Sequence, residues 1–182
     1  MLPHKEFGEV MSALCPPKDE GAWYAVTTRS RSEKKVTALL AGKAIETFLP
    51  LQRRKRQWCD RLAWVDVPLL PSYVFVRPTS SQRKEVLFTP GVVAYVQFSR
   101  RLAIIHQSEI EFLRRSISPG VDAELAKSVQ FLNQKVEIID GPFAGYAGIL
   151  FKAVNGDRVA VQIGELQQSV VITISPGQLR VR

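Results

Sequence analysis

The sequence predicts an α+β sandwich in its first two thirds, followed by a small all-β barrel. Three observations support this prediction. Strand-like and helix-like segments alternate up to about residue 115. Pro119 and Gly120 then interrupt the pattern. After them come short runs rich in valine and isoleucine, separated by glycine turns, which is typical of a barrel of about five strands.

The first three elements follow from local signals. Residues 22–28 (AWYAVTT) are aromatic and β-branched, which predicts a strand. A helix is expected next, because Ser30 and Glu33 have capping-box spacing and Gly42 suits the position after a helix end. Residues 44–52 (AIETFLPLQ) predict a second strand.

The next segment predicts a hairpin and a strand. Residues 53–68 (RRKRQWCDRLAWVDVP) should turn near Cys59 and Asp60, with Trp58 and Trp64 on the two arms. The strand SYVFV follows at once. A short helix, a strand, an extended piece and a second capped helix (Ser108 with Glu111) are expected at 80–88, 92–98, 102–106 and 108–117.

These elements predict a division of the chain into four parts. They are a loose tail (1–21), an α+β domain (22–115), a linker or loosely attached helix (116–129) and a β-barrel domain (130–182).

Composition excludes several classes of protein. The chain has no apolar run long enough to span a membrane and no secretory signal pattern, so we expect a cytoplasmic protein without a membrane partner. Two cysteines and two histidines, far apart in sequence, make neither a disulfide framework nor a zinc signature. Neither His106 nor Cys59 has a visible catalytic partner, and no nucleotide-binding or hydrolase motif is present. We therefore expect no enzyme, no cofactor and no metal.

The positive charge is concentrated in one segment. The chain has a net charge of +8, and residues 29–61 hold ten Lys/Arg against three Asp/Glu. Residues 130–182 hold five against four. Such asymmetry indicates contact with a polyanion, most often nucleic acid. A solvated basic face is the alternative.

The glycine-rich run DGPFAGYAGIL (140–150) resembles the KOW motif of small SH3-like barrels. Gly148 matches the glycine on which that motif centres, and Gly141, Pro142 and Phe143 precede it as in the motif. Some ribosomal proteins carry the same motif.

Four segments of the first part resemble the N-terminal domain of the NusG family of transcription elongation factors: WYAV (23–26), Glu33, PLLPSYVFV (68–76) and TPGV (89–92). The string from 48 to 76 resembles most the UpxY-type antiterminators of surface-polysaccharide operons. The resemblance implies a four-stranded antiparallel sheet with flanking helices, followed by an SH3-like KOW barrel.

The resemblance also implies a function and a partner. Family N-terminal domains bind the clamp helices of the largest RNA polymerase subunit and bridge the DNA cleft, which suppresses pausing and termination. By position, Leu70, Tyr73 and Phe75 would form the polymerase contact. Tyr and Phe are large rigid anchors suited to such a surface. From the residues alone, both aromatics could instead be core.

In such a factor the basic segment would face upstream duplex or the displaced non-template strand through phosphate contacts. The residues concerned are Arg29, Arg31, Lys34, Lys35, Arg53, Arg54, Lys55 and Arg56. The tryptophans of the hairpin could stack on an unpaired base or form hairpin core.

The C-terminal part departs from the family pattern. Housekeeping members carry a Phe-Gly-Arg turn that docks the termination factor Rho or a ribosomal protein, whereas this chain has Ile163-Gly164-Glu165-Leu166. We therefore expect no Rho recruitment, which suits an antiterminator acting as a monomer. A ribosome contact through the KOW domain stays open. Two alternatives also stay open: a general housekeeping elongation factor, and a ribosomal or RNA-binding KOW protein.

Overall fold

A computed structural model describes residues 21–58, 61–125, 134–153, 156–163 and 166–181. Within these ranges the side chains of 56, 58, 61, 151–153, 156, 157 and 176 are not described. Most of the predicted tail, the Cys59-Asp60 turn and the Gly164-Glu165 pair lie outside the described residues. No helix in the described ranges is both long enough and apolar enough to cross a membrane.

The described residues form three α-helices and fifteen strands. In chain order they are β1 (Trp23–Thr28), α1 (Glu33–Ala41), β2 (Glu46–Phe48), β3 (Leu51–Trp58), β4 (Arg61–Pro68), β5 (Tyr73–Arg77), α2 (Arg83–Leu87), β6 (Val92–Tyr95), β7 (Gln97–Phe98), β8 (Arg101–Leu102), β9 (Ile104–Ile105), α3 (Gln107–Ser116), β10 (Ala123–Leu125), β11 (Gln134–Ile138), β12 (Ala147–Ala153), β13 (Gly156–Ile163), β14 (Gln168–Ile174) and β15 (Leu179–Val181). Strands outnumber helices, so the fold is a mixed α+β fold rich in strands.

The chain divides into two compact units, each built from two chain segments. In the part of the chain that the structure describes, the first unit takes residues 21–49 and 70–107, and the second takes 50–69 and 108–181. The β3–β4 hairpin therefore belongs to the second unit, although it interrupts the sequence of the first.

The first unit is a five-stranded antiparallel sheet with two helices on one face. The strand order is β2-β5-β1-β6, and β9 also pairs with β1. Tyr24 and Val26 of β1 point to the same core as Val36 and Leu40 of α1. Val86 of α2 joins this core, so the apolar stripe of each helix covers the same side of the sheet. The fifth strand is one more than predicted.

The second unit contains a six-stranded antiparallel sheet, the β3–β4 hairpin and most of α3. The strand order is β10-β14-β13-β12-β11-β15. Its core is made largely of β-branched residues, including Val159, Val170 and Ile172. The expected strands of the last third are confirmed, while a closed SH3-like barrel stays a prediction.

Both predicted capping boxes are wrong. Helix α1 begins at Glu33 with Ser32 at its N-cap, and no side chain caps it. Helix α3 begins at Gln107, which places Ser108 inside the helix rather than before it. Gly42 ends α1 with an ordinary helical φ of −62°, and the left-handed residue is Ala44 at φ 55°. The first capping box fails because the Glu33 carboxylate binds the backbone N–H of Ser72 instead, as described below.

The segment predicted as a linker contains a strand. Residues 123–125 form β10, which pairs with Val170–Ile172 of β14. Three residues with a central glutamate carry no strand pattern of their own, so contacts with other parts of the chain stabilise this conformation, including the pairing with β14 and the hydrogen bonds of Gln52 and Arg54 to the Ala123 carbonyl.

Candidate functional site

The turn that precedes β5 is held by a buried carboxylate. Glu33 is only 6% exposed, and it accepts a 2.8 Å hydrogen bond from the backbone N–H of Ser72. Ser72 has a φ of 65°, and its carbonyl accepts a 2.9 Å hydrogen bond from the N–H of Thr28. A left-handed conformation costs a non-glycine residue about 1–2 kcal/mol. Long-range hydrogen bonds therefore hold a turn that the local sequence disfavours.

Gly91 of the TPGV segment belongs to the same corner. Its φ is 100°, and a Cβ atom there would lie 2.9 Å from Cγ2 of Val36. Its carbonyl accepts a 2.9 Å hydrogen bond from the N–H of Arg29. Glycine is required both for the conformation and for the close approach to α1. Residues 28–33, 70–72 and 89–92, far apart in sequence, thus meet at one place.

Four of the predicted nucleic-acid-binding residues surround this corner. Their side chains are exposed, and none has a hydrogen bond or ion pair with another described residue. They are Arg29, Arg31, Lys34 and Lys35. Because these positive charges make no such contact, they are available for an anionic partner.

The three predicted polymerase-binding residues differ in accessibility. Leu70 and Phe75 are both 0% exposed, and the Phe75 ring packs against Phe48 with centroids 6.0 Å apart. Tyr73 is half-buried. Of the three, Tyr73 alone presents surface to a partner in this structure. The contact role of all three stays a prediction.

The basic run of the hairpin is divided between two faces. In the β3–β4 register, Arg53 lies opposite Asp66 and Lys55 lies opposite Trp64, so these four share one face. Trp64 is 56% exposed, with Arg53 Cζ 5.5 Å and Lys55 Nζ 5.0 Å from its ring centroid. Trp64 is therefore a surface residue, not hairpin core.

Arg54 points to the opposite face and has a structural role. Its Nη2 donates a 3.0 Å hydrogen bond to the Ala123 carbonyl and another to Oε1 of Gln52. Buried Gln52 in turn donates to the carbonyls of Ser116 and Ala123. Sequence reasoning missed Gln52, since nothing distinguishes it from any other polar residue near a strand start. Arg56 lies opposite Ala63, and its side chain is outside the described set.

The KOW-like turn packs on α3 within the second unit. Phe143 is buried, with its ring 5.4 Å from that of Phe112, and Tyr146 lies 5.1 Å from Phe112. Arg115 donates a 2.8 Å hydrogen bond to the Pro142 carbonyl and lies over the Tyr146 ring. The turn therefore has a packed apolar side.

Tyr146 also makes a hydrogen bond to α3. Its hydroxyl donates a 3.0 Å hydrogen bond to the Ser108 carbonyl. Burial raises the pKa of Tyr146, and the nearby Arg115 charge opposes that shift.

Two glycines of the KOW-like run are required, Gly141 by its backbone conformation and Gly148 by its surroundings. Gly141 has a φ of 85°, and a Cβ there would lie 2.8 Å from Nε2 of Gln178. A Cβ on Gly148 would lie 2.5 Å from Cγ1 of Val159 and 2.7 Å from the carbonyl oxygen of Ala160. Strands β12 and β13 thus pack too closely at Gly148 for any side chain.

Among the described residues, no group of three or more His, Cys, Asp or Glu side chains could hold a metal ion. His106 is exposed just before α3. Cys59 lies outside the described ranges.

Comparison with known families decides the identity. A family model described as "Transcription termination factor nusG" matches residues 21–114, which is just over half of the chain. The chain belongs to the NusG family. NusG proteins are transcription elongation factors that bind RNA polymerase and are in general not enzymes.

A solved structure shares the NusG-like fold. The structure titled "Domain interaction in Thermotoga maritima NusG" is 22% identical, with a TM-score of 0.52, and the match covers 87% of this chain and 96% of that one. A second match, the "MjSpt4:Spt5 complex conformation B", is 20% identical with a TM-score of 0.32, covering 87% and 95%. A search of curated proteins finds no match.

Proposed function

We propose that this NusG-family chain is a transcription antitermination factor acting in the cytoplasm on RNA polymerase. It binds the clamp helices of the largest subunit, bridges the DNA cleft, and suppresses pausing and termination. Family membership supports the polymerase partner. The observation that carries the proposal is the corner at Ser72, where the segments that resemble the family converge on a turn fixed by Glu33.

Tyr73 is the proposed anchor of the polymerase contact. It follows the turn held by Glu33 directly. Its ring is half-buried, so part of the ring is held by the protein and part is accessible to a partner. Leu70 and Phe75 are both fully buried, so a direct contact through either would require it to become exposed.

The basic residues are proposed to hold nucleic acid in the elongation complex. Arg29, Arg31, Lys34 and Lys35 would meet phosphates of the upstream duplex or the non-template strand. On the hairpin, Arg53 and Lys55 are accessible for such contacts. Arg54 is engaged with Ala123, so its contribution is to hold β3 in place.

The mechanism is mechanical. A factor that binds the closed, productive conformation of the polymerase more tightly than paused conformations shifts the population toward elongation. No covalent step is needed.

We further propose that the protein serves a limited set of operons, as UpxY-type antiterminators of polysaccharide operons do. The absence of the Phe-Gly-Arg turn at 163–166 supports a C-terminal KOW domain that does not recruit Rho. A transcript profile after deletion tests this part: loss confined to a few long operons supports it, and a genome-wide effect supports a general elongation factor.

The central experiment is binding of the purified protein to core RNA polymerase, with Tyr73→Ala beside the wild type. We expect tight binding that the substitution weakens by about 30-fold or more, as for a hot-spot residue worth about 2 kcal/mol. Phe98→Ala, which removes another partly exposed aromatic of the first unit, is the matched control and should bind normally.

Two outcomes contradict the proposal in different ways. If the Tyr73 variant binds as tightly as the wild type, Tyr73 is not the anchor, but RNA polymerase remains the partner. Failure to bind polymerase, together with binding to structured RNA, replaces the function with that of an RNA-binding KOW protein.

A further inference from the structure

An open groove of about 710 Å³ lies within the second unit, along the outer edge of β3. Consecutive residues of β3, from Gln52 to Lys55, line one side together with Trp64, and the loop 117–123 lines the other. Because successive side chains of a strand point to opposite faces, a lining of consecutive residues places the groove at the edge of the strand rather than over one face. The volume is in the range of ligand sites, about 300–1,000 Å³.

The backbone of β3 has no strand partner along this edge. Among the described strands, β3 pairs with β4 alone. The Pro50 carbonyl accepts a 2.8 Å hydrogen bond from the N–H of Leu69, and in an antiparallel pair every second residue bonds to the partner strand. The residues between them, including Arg53 and Lys55, therefore direct their N–H and C=O groups outward. None of these groups bonds to another described residue.

The side chains of the same two residues make this edge positive. Arg53 Cζ and Lys55 Nζ lie 5.5 Å and 5.0 Å from the centroid of the exposed Trp64 ring, which holds both cations beside the edge. Asp66 lies opposite Arg53, but no ion pair joins either cation to a described residue. The edge can therefore accept acidic side chains without breaking an ion pair of the described structure.

The loop side of the groove is apolar, and its acidic residue is already engaged. The carboxylate of Asp122 accepts a 3.3 Å hydrogen bond from Thr173 and lies 4.0 Å from Arg158. The surface that remains toward the groove is apolar and comes from Ile117, Pro119 and Val121.

We propose that this groove binds an extended acidic peptide of a partner protein, which adds to β3 as a third strand of the hairpin sheet. The peptide backbone bonds to the outward N–H and C=O groups of Arg53 and Lys55. Its acidic side chains lie beside these two cations. The alternate side chains face the other way and pack on the apolar loop, so the matching sequence alternates acidic and β-branched residues.

Two other occupants fit the edge less well. A second copy of this chain would bring its own Arg53 and Lys55 against these residues, and like charges opposite each other destabilise a strand pair. Nucleic acid can use the two cations, but it has no amide backbone to pair with the outward groups of β3. The free backbone edge therefore favours a peptide.

The inference goes beyond the proposed function and adds a form of regulation to it. A bound peptide would occupy Arg53 and Lys55, which the proposed function assigns to nucleic acid, so the two ligands would exclude each other. That competition rests on the proposed function, whereas peptide binding itself does not.

The first test measures binding of the full-length protein to a fluorescein-labelled EVEVEV peptide by fluorescence anisotropy. We expect saturable binding. A peptide of the same composition in blocks, EEEVVV, should bind about 10-fold or more weakly, because it cannot place its acidic and apolar side chains on opposite faces. The cationic peptide KVKVKV should not bind.

The backbone contact is tested with two N-methylated forms of the EVEVEV peptide. One form is methylated at every glutamate and the other at every valine. Since alternate N–H groups of a strand point to the same edge, one form should lose about 10-fold or more in affinity and the other should keep most of it. Attraction between charges alone would not distinguish the two forms.

The side-chain contact is tested by charge reversal. Arg53→Glu/Lys55→Glu should weaken EVEVEV binding by about 10-fold or more and allow KVKVKV to bind. The matched control is Lys135→Glu/Arg180→Glu, which makes the same change in net charge at two exposed residues outside the groove and should bind EVEVEV normally. Thermal unfolding of each variant checks that the fold is kept.

Several results would overturn the inference: equal binding of the alternating and block peptides, no difference between the two methylated forms, or equal losses in the two charge-reversed variants. Binding of a single-stranded oligonucleotide that Arg53→Glu/Lys55→Glu abolishes, with no binding of the EVEVEV peptide, would assign the groove to nucleic acid instead. Because polymerase is absent from these measurements, their failure leaves the polymerase-binding result standing separately.

Discussion

At the residue scale, Glu33 shows how one buried side chain can fix the turn before the strand that carries the proposed anchor, Tyr73. It sits in the first turn of α1, but its carboxylate binds a backbone N–H 39 residues away in sequence. The strained φ of Ser72 and the position of Tyr73 both depend on that turn. If Tyr73 is the anchor we propose, the buried Glu33 is as important for binding as the residues exposed around it.

Glu33→Ala should lower the free energy of unfolding by about 1–3 kcal/mol, because the Ser72 N–H loses a charged acceptor at a partly buried position. Glu33→Gln keeps an acceptor oxygen and should lose less. Denaturant unfolding of the three proteins measures the difference. Equal losses in the alanine and glutamine variants would show that the hydrogen bond to Ser72 contributes little.

At the scale of secondary structure elements, Gly148 determines how closely β12 and β13 pack. Gly148→Ala should cost about 1–3 kcal/mol of stability, because the new methyl group would overlap Val159 and the Ala160 carbonyl. Gly177→Ala is the matched control, since no atom lies within 4 Å of its added Cβ. Thermal unfolding should separate the two variants by several degrees, and similar melting temperatures would contradict this account.

The elements themselves were largely predictable, and their ends and partners were not. Val36 and Leu40 made a helix predictable at 33–41, because an apolar stripe carries its own period. The predicted cap is wrong because Glu33 bonds to Ser72, a partner that no local pattern shows. Likewise, β10 depends on its pairing with β14, a partner far away in sequence.

The candidate site was also predictable only in part. The basic run 53–56 was visible in the sequence, and its two faces follow from strand alternation once the register is known. The sequence alone did not decide whether Trp64 is a core or a surface residue. The tertiary structure made it a surface residue, because no apolar neighbour among the described residues covers that face of the hairpin enough to bury the ring.

At the scale of the whole molecule, each unit holds a tyrosine that resists ionisation. Burial raises the pKa of Tyr95 in the first unit, with Arg83 opposing, and burial raises the pKa of Tyr146 in the second. In the unfolded chain both hydroxyls ionise near the usual value of 10.0. The unfolded state therefore releases protons first, and stability is full below pH 10 and falls as the pH rises above it.

Melting temperatures measured between neutral pH and about pH 11 should show this alkaline loss. Tyr146→Phe should reduce the loss for the second unit, because the variant has no hydroxyl to ionise there. If the melting temperature of the Tyr146→Phe protein falls with rising pH as much as that of the wild type, ionisation of Tyr146 does not cause the loss of stability.

The short strand β10 also has a consequence for fragments of this chain. It covers one edge of β14, the other edge being paired with β13. A fragment that begins after residue 125 would retain β14 but expose its backbone N–H and C=O groups along Val170–Ile172. Uncovered edges recruit strands from other molecules. Cleavage after β10, with loss of the N-terminal fragment, would thus replace an edge strand of 3 residues by one of 7, which is more prone to self-association.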